Sequence, residues 1–149
     1  MQLPWKRLAD GQVPSYALPG DAGADLCSAQ QIRIAPGQRQ LVNTGVAVAI
    51  PAGYVGLITP RSGLAHKLGL GMVNAPGVID SGYRGELKIN LINHDLQNSI
   101  EISVGDRIAQ LLLMPVAQAE FIEVDSFETT LRGEAGHGST GGASSLINS

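Results

Sequence analysis

The chain has 149 residues, a single cysteine (Cys27) and no apolar run long enough to span a bilayer. It is the length of about one domain, with neither a disulfide framework nor a membrane helix. Lysine and arginine number 10 against 13 acidic residues, a net charge of −3, which is the wrong sign for a binder of duplex nucleic acid.

Only 15% of the residues are charged, against roughly 25% in an ordinary soluble domain. Part of the surface is therefore expected to be hidden between the subunits of a homo-oligomer. The 19 glycines and 8 prolines, with few aromatic residues, favour many short strands and turns over helices. Residues 1–7 carry no apolar segment of the signal-peptide kind, so a reducing, cytoplasmic setting is expected.

In chain order, Asp21-Ala22-Gly23-Ala24-Asp25-Leu26 is a glycine turn that sets down a carboxylate, Asp25. Gln31-Ile32-Arg33-Ile34 alternates polar and apolar up to Pro36-Gly37, the period of a half-buried strand. Residues 41–50 and 54–59 are more evenly apolar, as in strands covered on both faces. One helix of about two turns is expected next. Ser62 would cap it, Leu64, Ala65, Lys67 and Leu68 favour it, and Gly69 and Gly71 end it. A hairpin of Val73-Asn74 with Val78-Ile79 around Ala75-Pro76-Gly77 is expected to follow. Residues 86–91 and 99–104 alternate again, and 108–116 and 119–124 complete the strands. The whole reads as an all-β barrel or double-sheet jelly roll over residues 1–131. Residues 132–149, glycine-rich and without apolar periodicity, read as a flexible tail.

Four segments carry chemistry. In Pro60-Arg61-Ser62-Gly63 a guanidinium, a hydroxyl and a close-approach glycine stand at a helix start, which suits an anion as well as a plain cap. In the stretch from Asn74 to Tyr83, Asn74 and the backbone near Val78 and Ile79 offer donors and acceptors to a nucleobase edge. There Asp80, beside apolar neighbours, can take a proton from water, and Tyr83 can pack on a sugar. In Gly105-Asp106-Arg107-Ile108-Ala109-Gln110-Leu111 an Asp106–Arg107 pair is expected to pin the turn, and Gln110 faces either solvent or a ligand. The tail has the Gly133 to Gly138 spacing of a P-loop but lacks its lysine and its strand–helix setting. It remains a strip of backbone N–H groups and hydroxyls able to close over phosphates, with His137 able to stack on a base. The dispersed His66, His94, His137 and Cys27 do not make a zinc site, whereas magnesium carried in by a polyphosphate is compatible.

Together these segments resemble the trimeric dUTP pyrophosphatase (dUTPase) family. The motifs are Ala22-Gly23-Ala24-Asp25-Leu26, Pro60-Arg61-Ser62-Gly63-Leu64-Ala65, Gly77-Val78-Ile79-Asp80-Ser81-Gly82-Tyr83-Arg84-Gly85-Glu86, Gly105 to Leu111, and Arg132-Gly133-Glu134-Ala135-Gly136-His137-Gly138-Ser139-Thr140-Gly141, in family order. The resemblance implies a jelly-roll-like β-barrel homotrimer with active sites shared between subunits. It also implies Mg²⁺-dependent cleavage of dUTP to dUMP and pyrophosphate, which keeps uracil out of DNA and supplies dUMP for thymidylate synthesis. Asp80 matches the general base. Asn74, Val78 and Ile79 match the uracil readers, and Tyr83 matches the ring that excludes a 2′-hydroxyl. Arg61, Ser62, Gly63, Gln110 and, more weakly, Lys88 match phosphate contacts. Arg132, His137, Gly138, Ser139 and Thr140 match the closing tail. Asp25 resembles a carboxylate that organises the metal through water, the ion being held mainly by the triphosphate. His137 stands where many members have phenylalanine, and Ala135 where glycine is frequent. The rival readings are a dCTP deaminase, which would release ammonia from dCTP, and a non-catalytic dUTPase-like domain, which would bind dUTP and leave it intact.

Overall fold

The period-two alternation resolves into short strands in a computed structural model that describes residues 1–130 and Gly133. In chain order they are β1 (Trp5–Arg7), β2 (Ala24–Cys27), β3 (Ile32–Ile34), β4 (Arg39–Asn43), β5 (Val46–Val48) and β6 (Tyr54–Pro60). Helix α1 (Ser62–Leu68) follows, then β7 (Leu70–Met72), β8 (Gly77–Ile79), β9 (Lys88–Asn93), β10 (Ile100–Ile102) and β11 (Arg107–Pro115). All pairings are antiparallel and form four sheets: β1-β5, β10-β3, β2-β11-β6-β8 and β4-β9-β7.

The chain divides into two units, Met1–Ala117 and Gln118–Ser149. The first holds one aliphatic core, with Leu26, Val42, Ile58, Leu87, Ile89 and Ile108 almost fully buried. Each such side chain contributes roughly 1.5–3 kcal/mol relative to exposure. β9 shows why the alternation worked: Ile89 and Leu91 go to the core while Lys88 stays in solvent. β5 is buried at all three residues, as its apolar run predicts.

Several expectations are corrected. Residues 41–50 do not form one strand. The chain turns at Thr44-Gly45, where Gly45 has φ +65° and a Cβ would lie 2.5 Å from backbone atoms of Gly11 and Leu8. The hairpin does not form either, because β7 pairs with β9 and β8 with β6, in different sheets. Residues 73–76 carry the chain across between them, through a cis Ala75–Pro76 bond.

Residues 119–124 are exposed and enter no ladder among the described residues. Apolar content alone does not make a strand without a neighbour to take its N–H and C=O groups. The cap of α1 is Arg61 in extended conformation, with no side-chain cap hydrogen bond, and Ser62 is the first helical residue. Gly69, at φ 67°, ends the helix as expected. Gly71 instead lies in β7, where a Cβ would come 2.8 Å from the His94 ring.

Candidate active site

The four-stranded sheet positions the first cluster. Register pairs Gln110 of β11 with Asp25 of β2 on one side and with Thr59 of β6 on the other. Gly23 lets the Gln110 side chain lie close, since a Cβ there would sit 3.0 Å from Gln110 Cβ. Asp25 is buried, its side chain only 5% exposed, between two guanidinium groups. Arg61 Nε stands 2.9 Å from Oδ1, and Arg107 Nη1 donates to Oδ2 at 3.1 Å. The first contact is ionic and not an aligned hydrogen bond, so Arg61 Nε–H and Asp25 Oδ1 remain without hydrogen-bond partners. Arg61 also donates from Nη1 to the Arg107 carbonyl at 3.4 Å. Ser62 and Gly63 follow Arg61 and are exposed.

Asp106 and Arg107 do not pair with each other. Asp106 Oδ2 accepts the Ser103 N–H at 2.8 Å, and Arg107 turns to Asp25. Successive residues entering a strand point to opposite faces, so neighbours at 106 and 107 are directed apart. Cys27 lies beside the cluster. Burial first, and then the Asp25 carboxylate, push its thiol up, which keeps it protonated and unsuited to act as a nucleophile.

Asp25 holds the two arginines in place electrostatically. Asp25→Asn is expected to lower stability by about 2 kcal/mol, the half exposure of Arg107 softening the cost of unpaired buried charge. That corresponds to a fall in melting temperature of about 6 °C, readable by calorimetry. An unchanged melting temperature would show that the cluster carries no net stabilisation.

The second cluster is a cleft of about 240 Å³ lined by Val78, Ile79, Asp80, Tyr83, Glu86 and Lys88. Asp80 leaves the end of β8 and is exposed. A turn follows, in which Tyr83 N–H donates to the Asp80 carbonyl at 3.0 Å. Arg84 Nη1 clips the turn by donating to the Ser81 and Tyr83 carbonyls at 2.6 and 2.7 Å. Tyr83 Oη donates to the Glu86 carbonyl at 2.9 Å. Gly85 is required under that ring, because a Cβ would collide with the phenol oxygen and lie 2.6 Å from Cζ. Asn74 lies near the start of β8, its Nδ2 3.5 Å from where a Gly77 Cβ would be. Lys88 Nζ is 3.8 Å from Glu86 Oε2.

One chain does not join the two clusters. Ile79, the residue before Asp80, faces Gly56, and Arg61 stands five residues further along, just beyond the end of β6. At about 3.3 Å per residue, this separates them by roughly 16 Å. Asp80 and Arg61 are thus directed to opposite ends of the strand that links them.

No group of three or more His, Cys, Asp or Glu residues able to hold a metal occurs among the described residues. The two guanidinium groups facing Asp25 repel a cation, so a resident magnesium does not fit beside that carboxylate. Arg132, His137, Gly138, Ser139 and Thr140 lie outside the described residues. Sequence reasoning missed the Arg107–Asp25 pair and the bond from the Gly45 N–H to the Glu86 carboxylate. Both link residues distant in sequence, and nothing local signals them.

The family model described as dUTPase matches residues 9–141. A deoxyuridine 5'-triphosphate nucleotidohydrolase of Nocardia farcinica is 57% identical over 145 residues, covering 97% of this chain and 88% of that protein. One of Mycolicibacterium vanbaalenii is 58% identical over 142 residues, covering 92% of each. Among solved structures, the Staphylococcus bacteriophage 80alpha dUTPase with dUPNHPP superposes with a TM-score of 0.87 at 34% identity, covering 94% of this chain and 98% of that one. A variant dUTPase from phage phi11 of S. aureus, described with a coordinated structural Mg(II) ion, gives 0.81 at 32% identity and covers 87% of this chain and 100% of that one.

Proposed function

Since the chain belongs to the dUTPase family, a dUTP diphosphatase that releases dUMP and pyrophosphate, we propose that turnover runs through a water activated by Asp80 in a site shared between copies of the chain. The observation that carries this reading is the separation along β6 of the Asp80 cleft from the Arg61 cluster. A water primed by Asp80 and a triphosphate neutralised by Arg61 meet only if a neighbouring copy brings its own cluster to the cleft. A homotrimer of jelly-roll-like subunits satisfies this with three equivalent sites. Exposed apolar side chains such as Leu18, Leu41 and Val78, 67%, 53% and 61% exposed, supply surface for such contacts.

The roles follow from the chemistry of each group. Asn74 and the backbone at Val78 and Ile79 read the uracil edge. The Tyr83 ring packs on the deoxyribose and leaves no room for a 2′-hydroxyl. Asp80 accepts the proton of the water that attacks the α-phosphorus. Arg61, Ser62, Gly63, Gln110 and Lys88 contact the phosphates. Charge neutralisation contributes more than covalent help in attack on a triphosphate. Arg61 is fixed beside Asp25 through its buried Nε, and its side chain stays 24% exposed, which leaves the guanidinium able to meet a phosphate.

The tail, residues 132–149, closes over the nucleotide, with Arg132 on the γ-phosphate and His137 stacking on the base. Magnesium enters with the triphosphate as part of the substrate, and Asp25 acts on it only at a distance, through the arginines it orients. No helix of the described residues is long and apolar enough to cross a membrane. The cytoplasm, where nucleotides are made, is the proposed location.

Pyrophosphate release measured across dUTP, dTTP, dCTP and UTP tests the reading. Turnover of dUTP at least about 100-fold above each of the others is expected, since a site built around one edge and one sugar leaves groups unpaired or clashing with the rest. Ammonia released from dCTP, or dUTP bound but left intact with Mg²⁺ present, would replace the reading with one of its rivals.

A further inference from the structure

Tyr83 is half in solvent, 44% exposed, on a turn outside any strand. A ring so placed rejects a 2′-hydroxyl only if something fixes its distance from the sugar, and the contacts that do this converge on Glu86. The Glu86 carbonyl accepts Tyr83 Oη at 2.9 Å. Its carboxylate Oε1 accepts the backbone N–H of Gly45 at 2.8 Å, across 41 positions of sequence. Its Oε2 faces Lys88 Nζ at 3.8 Å.

The far end of that tether is a rigid place. Gly45 sits at φ +65°, packed against Gly11, and its carbonyl accepts Leu8 N–H at 2.7 Å. Next to it, buried Thr44 donates from Oγ1 to the Leu87 carbonyl at 2.6 Å, and Leu87 N–H donates to the Val46 carbonyl at 2.7 Å. Leu87 is therefore held to the core from both of its backbone groups, and Glu86 transmits that anchorage to the tyrosine.

We propose that Glu86 is a positioning residue for Tyr83, tying the ring to the turn between β4 and β5 and thereby setting how strictly the site distinguishes deoxyribose from ribose. The proposal rests on the sugar-packing role given to Tyr83 above. The part that matters is the reach of the side chain to Gly45. Among the described residues its charge is paired with that of Lys88, which is 46% exposed. A bond to a peptide N–H needs an oxygen at the right distance, and an amide oxygen still accepts it, more weakly than a carboxylate.

The experiment compares kcat/KM for dUTP and for UTP in the wild type, Y83A, E86A, E86Q and E86D, well below each melting temperature. E86A and E86D are expected to reduce the dUTP/UTP ratio by about ten-fold, a displacement of the ring of under an ångström being enough. E86Q keeps the length and the oxygen, and is expected to hold the ratio within about two-fold of wild type, because the Gly45 N–H is still met. E86D retains the charge but withdraws the oxygen, so the pair separates position from charge. If E86A does not fold, E86D and E86Q carry the comparison. An unchanged ratio in E86D, or a loss in E86Q as large as in E86D, overturns the proposal. Should Y83A itself leave the ratio unchanged, Tyr83 is not the sugar reader, and both the reading above and this proposal fall. Loss in Y83A with none in E86D removes only the role of Glu86.

Discussion

Asp80→Asn is expected to lower kcat for dUTP by about three orders of magnitude while the nucleotide still binds, the size typical of losing a general base. The carboxylate is exposed at the end of β8 and contacts neither the core nor the arginine cluster, so the change leaves the fold intact. An amide of the same shape still fills the space beside Tyr83 but accepts no proton at neutral pH. A non-hydrolysable dUTP analogue titrated calorimetrically should bind within about three-fold of its wild-type affinity, since the uracil and sugar contacts are untouched. Turnover within ten-fold of wild type would remove Asp80 from the base role and direct attention to another water-activating group.

Ending the chain at Leu131 is expected to reduce kcat/KM by about two orders of magnitude and to leave the melting temperature unchanged. The buried core found among the described residues lies within the unit Met1–Ala117, which the truncation leaves whole. On the proposed reading the removed residues take away the positive charge that Arg132 brings to the terminal phosphate and a strip of N–H groups and hydroxyls that closes over the nucleotide. Positioned charge is the main currency of phosphoryl-type transfer, and closure commits the bound nucleotide to reaction. A truncated chain that melts early or fails to fold would make the tail structural. One with full activity would deny it any part in closure.

The strands of this protein were readable where one face is buried and the other wet. Residues 88–91 and 100–102 alternate because each side chain meets either core or solvent, and period two records that directly. The same reading failed where apolar content had another cause. Residues 119–124 carry Phe121, Ile122 and Val124, 96%, 76% and 53% exposed, and form no strand among the described residues. The hairpin at 73–79 failed because a Pro-Gly pair says that the chain turns without saying which strand each arm will join.

Sequence by itself supplied the residue types of the proposed site and the segments that carry them: Asp80 with Tyr83 three positions on, Arg61 before a short helix, Asp25 after a glycine turn. These are local: turn chemistry and side-chain inventory make them candidates, and their order along the chain, which resembles the dUTPase family, singles them out. Tertiary structure alone decided which of them meet. Arg107 passes over its neighbour Asp106 for Asp25, 82 positions away, Glu86 reaches back to Gly45, and β6 directs Asp80 and Arg61 to opposite ends. Such pairings depend on strand register, which is set by the packing of the whole core, and so no short stretch of the chain contains them.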